Sequence, residues 1–255
     1  MSLVLSPLPN IPMIHTGDNL VEIIWNGLSE TEIVLQDGDI LVLAQKIVSK
    51  AEDRWVNLVS IEPSARAIAL AEDVQKDPRL VELILRESSQ VLRTRIGTII
   101  VEHRLGFVCA NAGIDHSNVA GDGNSTEEWV LLLPENPDTS AQWIRQNLES
   151  MSGVRLGVMI IDSHGRAWRQ GVVGVAIGIS GMPGLVDMRG NSDLFGYTLR
   201  ITTIGAADEL AAAASLVMGQ TDEATPIIHV RGFPYGLRDG NLKELLRPKD
   251  QDLFR

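Results

Sequence analysis

The chain has 255 residues, with 33 acidic against 22 basic side chains and a formal charge of -11, and its sequence pI lies near 4.9. That balance excludes a protein that lives by gripping duplex phosphates, because counterion release needs a basic surplus or stripe and none is visible. A hydrophobic content of 44% beside 22% charged residues excludes a disordered chain, and aromatics at only 4% leave little for stacking nucleic-acid bases.

In chain order, helical periodicity fits residues 18–26, followed by a strand-like run at 40–43 and helical patterns at 63–75 and 78–92. Strand-like runs at 98–102, 107–110 and 130–133 lead to a helix over 140–151. Further strands at 156–161, 172–179 and 199–204 precede the clearest helix, 206–218, which Gly219 stops, and a last strand covers 227–230. No low-complexity tract, repeat or long linker interrupts the series, and the length allows one large domain or two subdomains. Several strands follow one another with only short turns, which predicts an α+β fold with mixed sheets rather than a doubly wound one. Residues 116–128 and 183–194 are polar and glycine-containing, and both are candidate active-site loops.

The single cysteine, Cys109, removes any intramolecular disulfide or multi-thiolate zinc site, and its neighbours Val108 and Ala110 predict a buried, inert thiol. Residues 1–14 lack a basic segment followed by an apolar one, so no secretory signal is expected and a cytoplasmic protein is. The longest uncharged stretch, residues 171–186, is broken by glycines and a proline and is shorter than the roughly 20 apolar residues of a membrane span. Its glycines are expected to permit close packing and turns rather than to cradle phosphate.

Familiar phosphate signatures are missing: no Gly-Lys-Ser/Thr closes a glycine-rich loop and no Gly-x-Gly-x-x-Gly follows a strand. Hydrolase and zinc-helix templates are missing too, and the five histidines show no i, i+4 pair. What remains is carboxylates at the ends of apolar runs, where a hard divalent cation finds oxygen ligands on a rigid scaffold. Asp115 and Asn118 follow the strand-like run 107–110; a turn in which they bond their own backbone explains them equally. Asp162, Ser163 and His164 end a buried-looking strand, as ligands or as a turn, with Arg166 and Arg169 behind them as phosphate clamps or surface charges. Asp208 and Glu209 open the alanine-rich helix, where the helix dipole favours acids whatever their chemistry. Lys46 and Lys50 follow a hydrophobic strand and suit either a phosphate or a solvated face.

Five stretches in one order carry a resemblance: Leu43-Ala-Gln-Lys-Ile-Val-Ser-Lys-Ala-Glu52, Asn111-Ala-Gly-Ile-Asp-His-Ser-Asn-Val119, Asp162-Ser-His-Gly-Arg166, Gly171-Val-Val-Gly-Val-Ala-Ile-Gly-Ile-Ser-Gly181 and Ala207-Asp-Glu-Leu-Ala211. Together they resemble the coenzyme F420-0:L-glutamate ligase family, over essentially the whole chain from Pro9 to the terminal Asp252-Leu-Phe-Arg255. The resemblance implies GTP-dependent addition of L-glutamate to coenzyme F420-0 through an acyl phosphate, then further gamma-linked glutamates, with Mg2+ or Mn2+, two ions per site, and K+ as a further ion. It implies an α+β fold of two intertwined subdomains without a P-loop, a butterfly-like homodimer, and a single ligase domain over residues 1–255 without the reductase-like domain that some members add. Neither nucleic acid nor membrane is an expected partner.

Carried over by motif, Asp115 and Asp162 look like ligands of one metal ion, and Ser163 and Glu209 of a second; Asp115, Asp162 and Glu209 would be the catalytic acids. Ile11, Pro12, Met13, Ile14, Gln45, Lys46, Lys50, Asn118, Ala207 and Asp208 look like nucleotide contacts. Ser163 stands where members often have Thr, His164 where Asn or another small polar residue is common, and His116 where a small residue is common. The competing expectations are a metal-dependent nucleotide hydrolase, in which water replaces the amine, and a non-catalytic nucleotide or metal sensor.

Overall fold

A computed structural model describes residues 2–117 and 128–253. The strands and helices among them are β1 (Val4–Pro7), α1 (Leu20–Glu30), β2 (Ile40–Ala44), α2 (Gln45–Ala51), β3 (Trp55–Asn57), α3 (Ala65–Val74), α4 (Pro78–Arg86), β4 (Ser88–Arg95), β5 (Thr98–His103), β6 (Val108–Ala110), β7 (Trp129–Leu131), α5 (Pro137–Ser152), β8 (Gly157–Gly165), β9 (Val172–Ser180), β10 (Val186–Asp187), β11 (Thr203–Ile204), α6 (Ala206–Met218) and β12 (Ile227–Arg231). The fold is α+β, as the strand spacing predicts.

The central sheet has the order β1-β12-β2-β8-β9, in which β2 and β8 run parallel and the other pairs antiparallel. Apolar runs without alternation build its middle, because Ile40, Leu41, Val42 and Leu43 of β2 and Val158, Met159 and Ile160 of β8 are all fully buried, with helices over both faces. On one face Leu41, Leu43, Val158 and Ile160 pack under α1 and α5; on the other Ile40, Val42, Met159 and Ile161 pack under α6. Helix starts are set locally: Asn19 accepts from the Val21 N–H to open α1, and Asn136 with Pro137 opens α5.

Strand β9 lets both helices approach closely. A side chain at Gly178 would overlap Pro137 of α5, and one at Gly174 would overlap the Ala211 carbonyl of α6. One extra residue, Ile177, sits in β9 opposite the Ile160 to Ile161 step. Beside it the Ala176 N–H donates to Asp208 Oδ1 at 3.0 Å, and farther along the Ile179 N–H donates to Asp138 Oδ1 at 2.8 Å. At the start of β2, Asp39 accepts from Arg231 and from His229, and although burial opposes it, these bonds hold the carboxyl well below the usual carboxylate range.

Between α2 and α5 the chain builds a second unit with its own core, in which α3 and α4 cover the three-stranded sheet β4-β5-β6 around Val74, Val81, Ile84, Ile99 and Val101. The pair β3-β7 carries the chain out to this unit and back. Phe107 packs against both cores.

Several boundaries differ from those of the sequence pattern. The helix expected over 78–92 stops at Arg86, since residues 88–95 pair with β5 and tertiary pairing overrides the helical period. Residues 45–51, expected only to trail a strand, form α2. The strand expected over 199–204 is confined to Thr203–Ile204, and residues 4–7 form an edge strand that no pattern announced. Most of the 116–128 loop lies outside the described residues. Among the described residues no helix is long and apolar enough to cross a membrane.

Glu87 ties the second unit down. Its carboxylate pairs with Arg104 at 2.9 Å and Arg54 at 3.1 Å, and Arg54 also donates to the Leu133 carbonyl. Burial works against its charge, yet His103 and the two arginines lower the carboxyl from 4.5 to about 2. A carboxyl depressed in the folded state contributes stability that is complete above its unfolded pKa. The gap in unfolding free energy between wild type and Glu87→Gln is therefore expected to close as pH falls from 4.5 toward 2, which urea titrations at stepped pH will measure.

Candidate functional site

Parallel pairing of β2 with β8 puts Ala44 opposite Ile161 on one rung. The next residues, Gln45 with Lys46 on one side and Asp162 with Ser163 on the other, therefore stand side by side where β2 ends, while β8 runs on beside β9 to Gly165; the carboxyl ends of parallel strands commonly present ligand groups. Because α2 begins at once, Lys46 and Lys50 are one helical turn apart on one face.

Beside them opens a cavity of about 380 Å³. Its walls include Ile11, Pro12, Met13 and Ile14, then Gln45, Lys46 and Lys50 of α2, then Asp162 and Ser163 of β8. Residues 218–226, the connection from α6 to β12, close the remaining side. This connection was not singled out in the sequence, although a short polar stretch between a helix-stopping glycine and a buried strand is a loop signal. Its Gln220 accepts from Ser163 Oγ at 2.9 Å and donates to Ser215 Oγ at 3.0 Å, so the amide fixes where the Ser163 hydroxyl points.

Asp115 reaches the same corner from the second unit. Its N–H and carbonyl pair with Leu131, and its Oδ2 accepts from Gln45 Nε2 at 2.7 Å and pairs with Lys46 Nζ at 3.1 Å. Gln45 is itself held, since its Oε1 accepts from Ser49 Oγ at 2.9 Å. Burial pushes the Asp115 carboxyl above its ordinary range, the Lys46 charge opposes this, and Asp162 lies close enough for its charge to raise it further. Asp162 is bonded in turn to His164, with Nε2 to Oδ2 at 3.0 Å. Lys50 is buried, its ammonium 5.5 Å from the centre of the Trp55 ring, and burial together with Lys46 lowers its pKa.

Three of the proposed contacts stand apart from this corner. Asp208 spends one oxygen on the Ala176 N–H, Ala207 is fully buried, and Glu209 is exposed in the first turn of α6. None of the three lines the cavity, and Asp115 reaches it only through Gln45 and Lys46. Asn118 lies outside the described residues, and His116 is exposed. The 183–194 segment lies at a different cavity, of about 650 Å³, whose Arg189 and Arg238 are already paired with Asp187 and Glu244.

Among the described residues no group of three His, Cys, Asp or Glu could hold a metal ion by itself. Two neighbouring carboxylates and a hydroxyl nevertheless fit a hard divalent cation of the Mg2+ type, which binds through one or two carboxylates and keeps water and phosphate oxygens for its other positions. A cavity with Asp162, Ser163, two lysines and apolar side chains on its wall, and Asp115 bonded to Gln45 and Lys46 of that wall, suits a phosphorylated ligand.

A family model described as F420-0:Gamma-glutamyl ligase matches residues 9–232. The chain belongs to this ligase family. Within it the chain is similar to the coenzyme F420:L-glutamate ligase of Methanothermobacter thermautotrophicus, with 48% identity over 100% of both chains. It is also similar to the proteins of that name from Methanopyrus kandleri, at 45% identity over 98% of this chain and 97% of the other, and from Methanocaldococcus jannaschii, at 41% over 96% and 94%.

Cys109 is buried beneath this corner, and burial, with a smaller push from the Asp162 charge, raises its thiol to about 12. In the folded protein Cys109 is expected to resist iodoacetamide at pH 8 and to be alkylated only on unfolding, which mass spectrometry of native and urea-treated samples will read.

Proposed function

We propose that the chain joins L-glutamate to coenzyme F420-0 at the expense of GTP, and then adds further glutamates through gamma linkages. The observation that carries this reading is the convergence of Asp162, Ser163, Lys46, Lys50 and residues 11–14 on one cavity in a chain of this ligase family. The names of the relatives support the acceptor and the amino acid.

A carboxylate does not react with an amine until one oxygen becomes a good leaving group. In the proposed reaction the acceptor carboxylate oxygen takes the γ-phosphoryl group of GTP and GDP departs. The glutamate amine then attacks the carbonyl carbon of the acyl phosphate, the carbon to oxygen bond breaks, and phosphate leaves as the nitrogen gives up its proton. Phosphoryl transfer depends on positioning and on neutralised oxygen charge rather than on a protein nucleophile. A divalent cation held by Asp115, Asp162 and Ser163 would supply charge neutralisation.

The residues of the chain itself take the other tasks. Gln45 and Lys46 hold Asp115 in place, and Gln220 holds the Ser163 hydroxyl. The Lys46 ammonium, which balances Asp115 in this structure, is the charge nearest to hand for an incoming phosphate once that balance is shared. Residues 11–14 and 218–226 wall the cavity. Two ions, a role for Glu209, and pairing of two copies of the chain also belong to the proposal. Leu194 and Phe195, 98% and 95% exposed between β10 and β11, support an associating surface.

Incubation with GTP, Mn2+, F420-0 and L-glutamate is expected to yield products heavier by whole glutamate residues. Asp115→Ala and Asp162→Ala should each remain folded by circular dichroism and lose at least about a hundredfold in turnover, on the scale of a lost electrostatic contact to the transition state. GTP binding should collapse in chelator. GDP release that ignores F420-0 would point to a hydrolase instead, and normal turnover in either folded variant would remove the acid pair from the site.

A further inference from the structure

A row of rings runs from the second unit to Asp162. His103, at the end of β5, is fully buried, and its Nδ1 accepts the Leu105 N–H at 3.1 Å. Its proton therefore sits on Nε2, which lies 3.7 Å from Glu87 Oε2, and burial lowers the pKa of the ring while Glu87 opposes this. Phe107 stacks on this ring almost parallel, with centres 5.1 Å apart and planes 4° apart. Phe107 also meets His164, with centres 5.3 Å apart and planes tilted by 48°.

His164 and Asp162 are two apart on β8 and so share a face of the strand. The His164 Nε2 lies 3.0 Å from Asp162 Oδ2, and both side chains are nearly covered, 10% and 12% exposed. A carboxylate can only accept, so Nε2 is the donor and the bond occupies one of the two carboxylate oxygens. An aspartate side chain turns about two torsions. Here one is restrained by an imidazole that is itself held by an aromatic ring.

We propose that His164 is a positioning residue: clamped against Phe107, and through it against His103, it fixes the rotation of the Asp162 carboxylate and leaves the other oxygen for a ligand. This rests on the reading of Asp162 as a cation ligand. The arrangement makes the second unit part of the site's support as well as the source of Asp115, because His103 and Phe107 flank the turn between β5 and β6. Groups that orient a ligating side chain typically change metal affinity by about 10 to 100-fold when removed.

The test is Mn2+ affinity of the full-length protein without substrates, measured by electron paramagnetic resonance, beside thermal melting of each variant. His164→Ala is expected to weaken Mn2+ binding about 10 to 100-fold. His164→Gln, whose amide nitrogen reaches about as far as the imidazole Nε2, should restore most of the affinity. Phe107→Leu, which touches neither oxygen of Asp162, should weaken binding in the same direction by a smaller factor. If His164→Ala fails to fold, the Gln and Phe107 variants carry the decision. Loss of Mn2+ binding in Asp162→Ala, with wild-type affinity in the variants at 164 and 107, would overturn the positioning role and leave the ligand reading intact. Wild-type Mn2+ affinity in Asp162→Ala would overturn both.

Discussion

The rung on which Ala44 faces Ile161 decides where everything else in the corner can stand. Parallel neighbours point in the same direction, so one register brings the start of α2 beside the acid-hydroxyl pair that β8 carries past the end of β2. A slip of one residue would turn Asp162 toward the α6 face and Ser163 toward the α1 and α5 face. The register is held by burial on both sides: seven central side chains of β2 and β8 have no exposure at all, and none could be turned out without leaving a void. Chemistry at the strand ends is thus positioned by apolar packing that has no chemical role.

Directional polar and aromatic contacts join the second unit to this frame. Arg54 reaches Glu87 and the Leu133 carbonyl, Asp115 pairs with Leu131 and reaches Gln45 and Lys46, and Phe107 bridges the two cores. Such contacts are directional. They set the placement of Asp115 relative to Asp162 more closely than a broad hydrophobic seam would, because hydrogen bonds lose strength quickly when misaligned. The surplus of acid in the chain also acquires a local meaning. Asp39, Asp138, Asp208 and Glu244 accept from backbone N–H groups, whereas Asp162 lines the cavity.

The strands of the central sheet were legible because continuous apolar runs such as 40–43 and 156–161 have no other stable place, and α6 was legible to the residue because alanine repeats end at a glycine. The α4 to β4 boundary was not, since Leu92 continues the helical period and only pairing with β5 reveals the strand. Asp162, Ser163, Lys46 and Lys50 were legible as polar residues at apolar ends, and the structure gathers them. Gln220 was not, because a glutamine after a helix stop has no pattern of its own until its partners Ser163 and Ser215 come near. The role of Asp208 also needed coordinates: the N–H it satisfies belongs to a residue beside an extra one in β9, and no spacing in the sequence marks that irregularity.

Strand β9 is the last of its sheet, and a run like Val172–Ser180, uncharged and rich in β-branched residues, is the kind of segment that recruits further strands from other molecules. Asp138 and Asp208 sit on two of its N–H groups, so a foreign strand would have to displace these half-buried carboxylates before it could add to the edge. The same two acids that shape the helix contacts thereby guard the chain against sticking to its own copies at high concentration, while the glycines that let α5 and α6 press close leave an intruding strand little room.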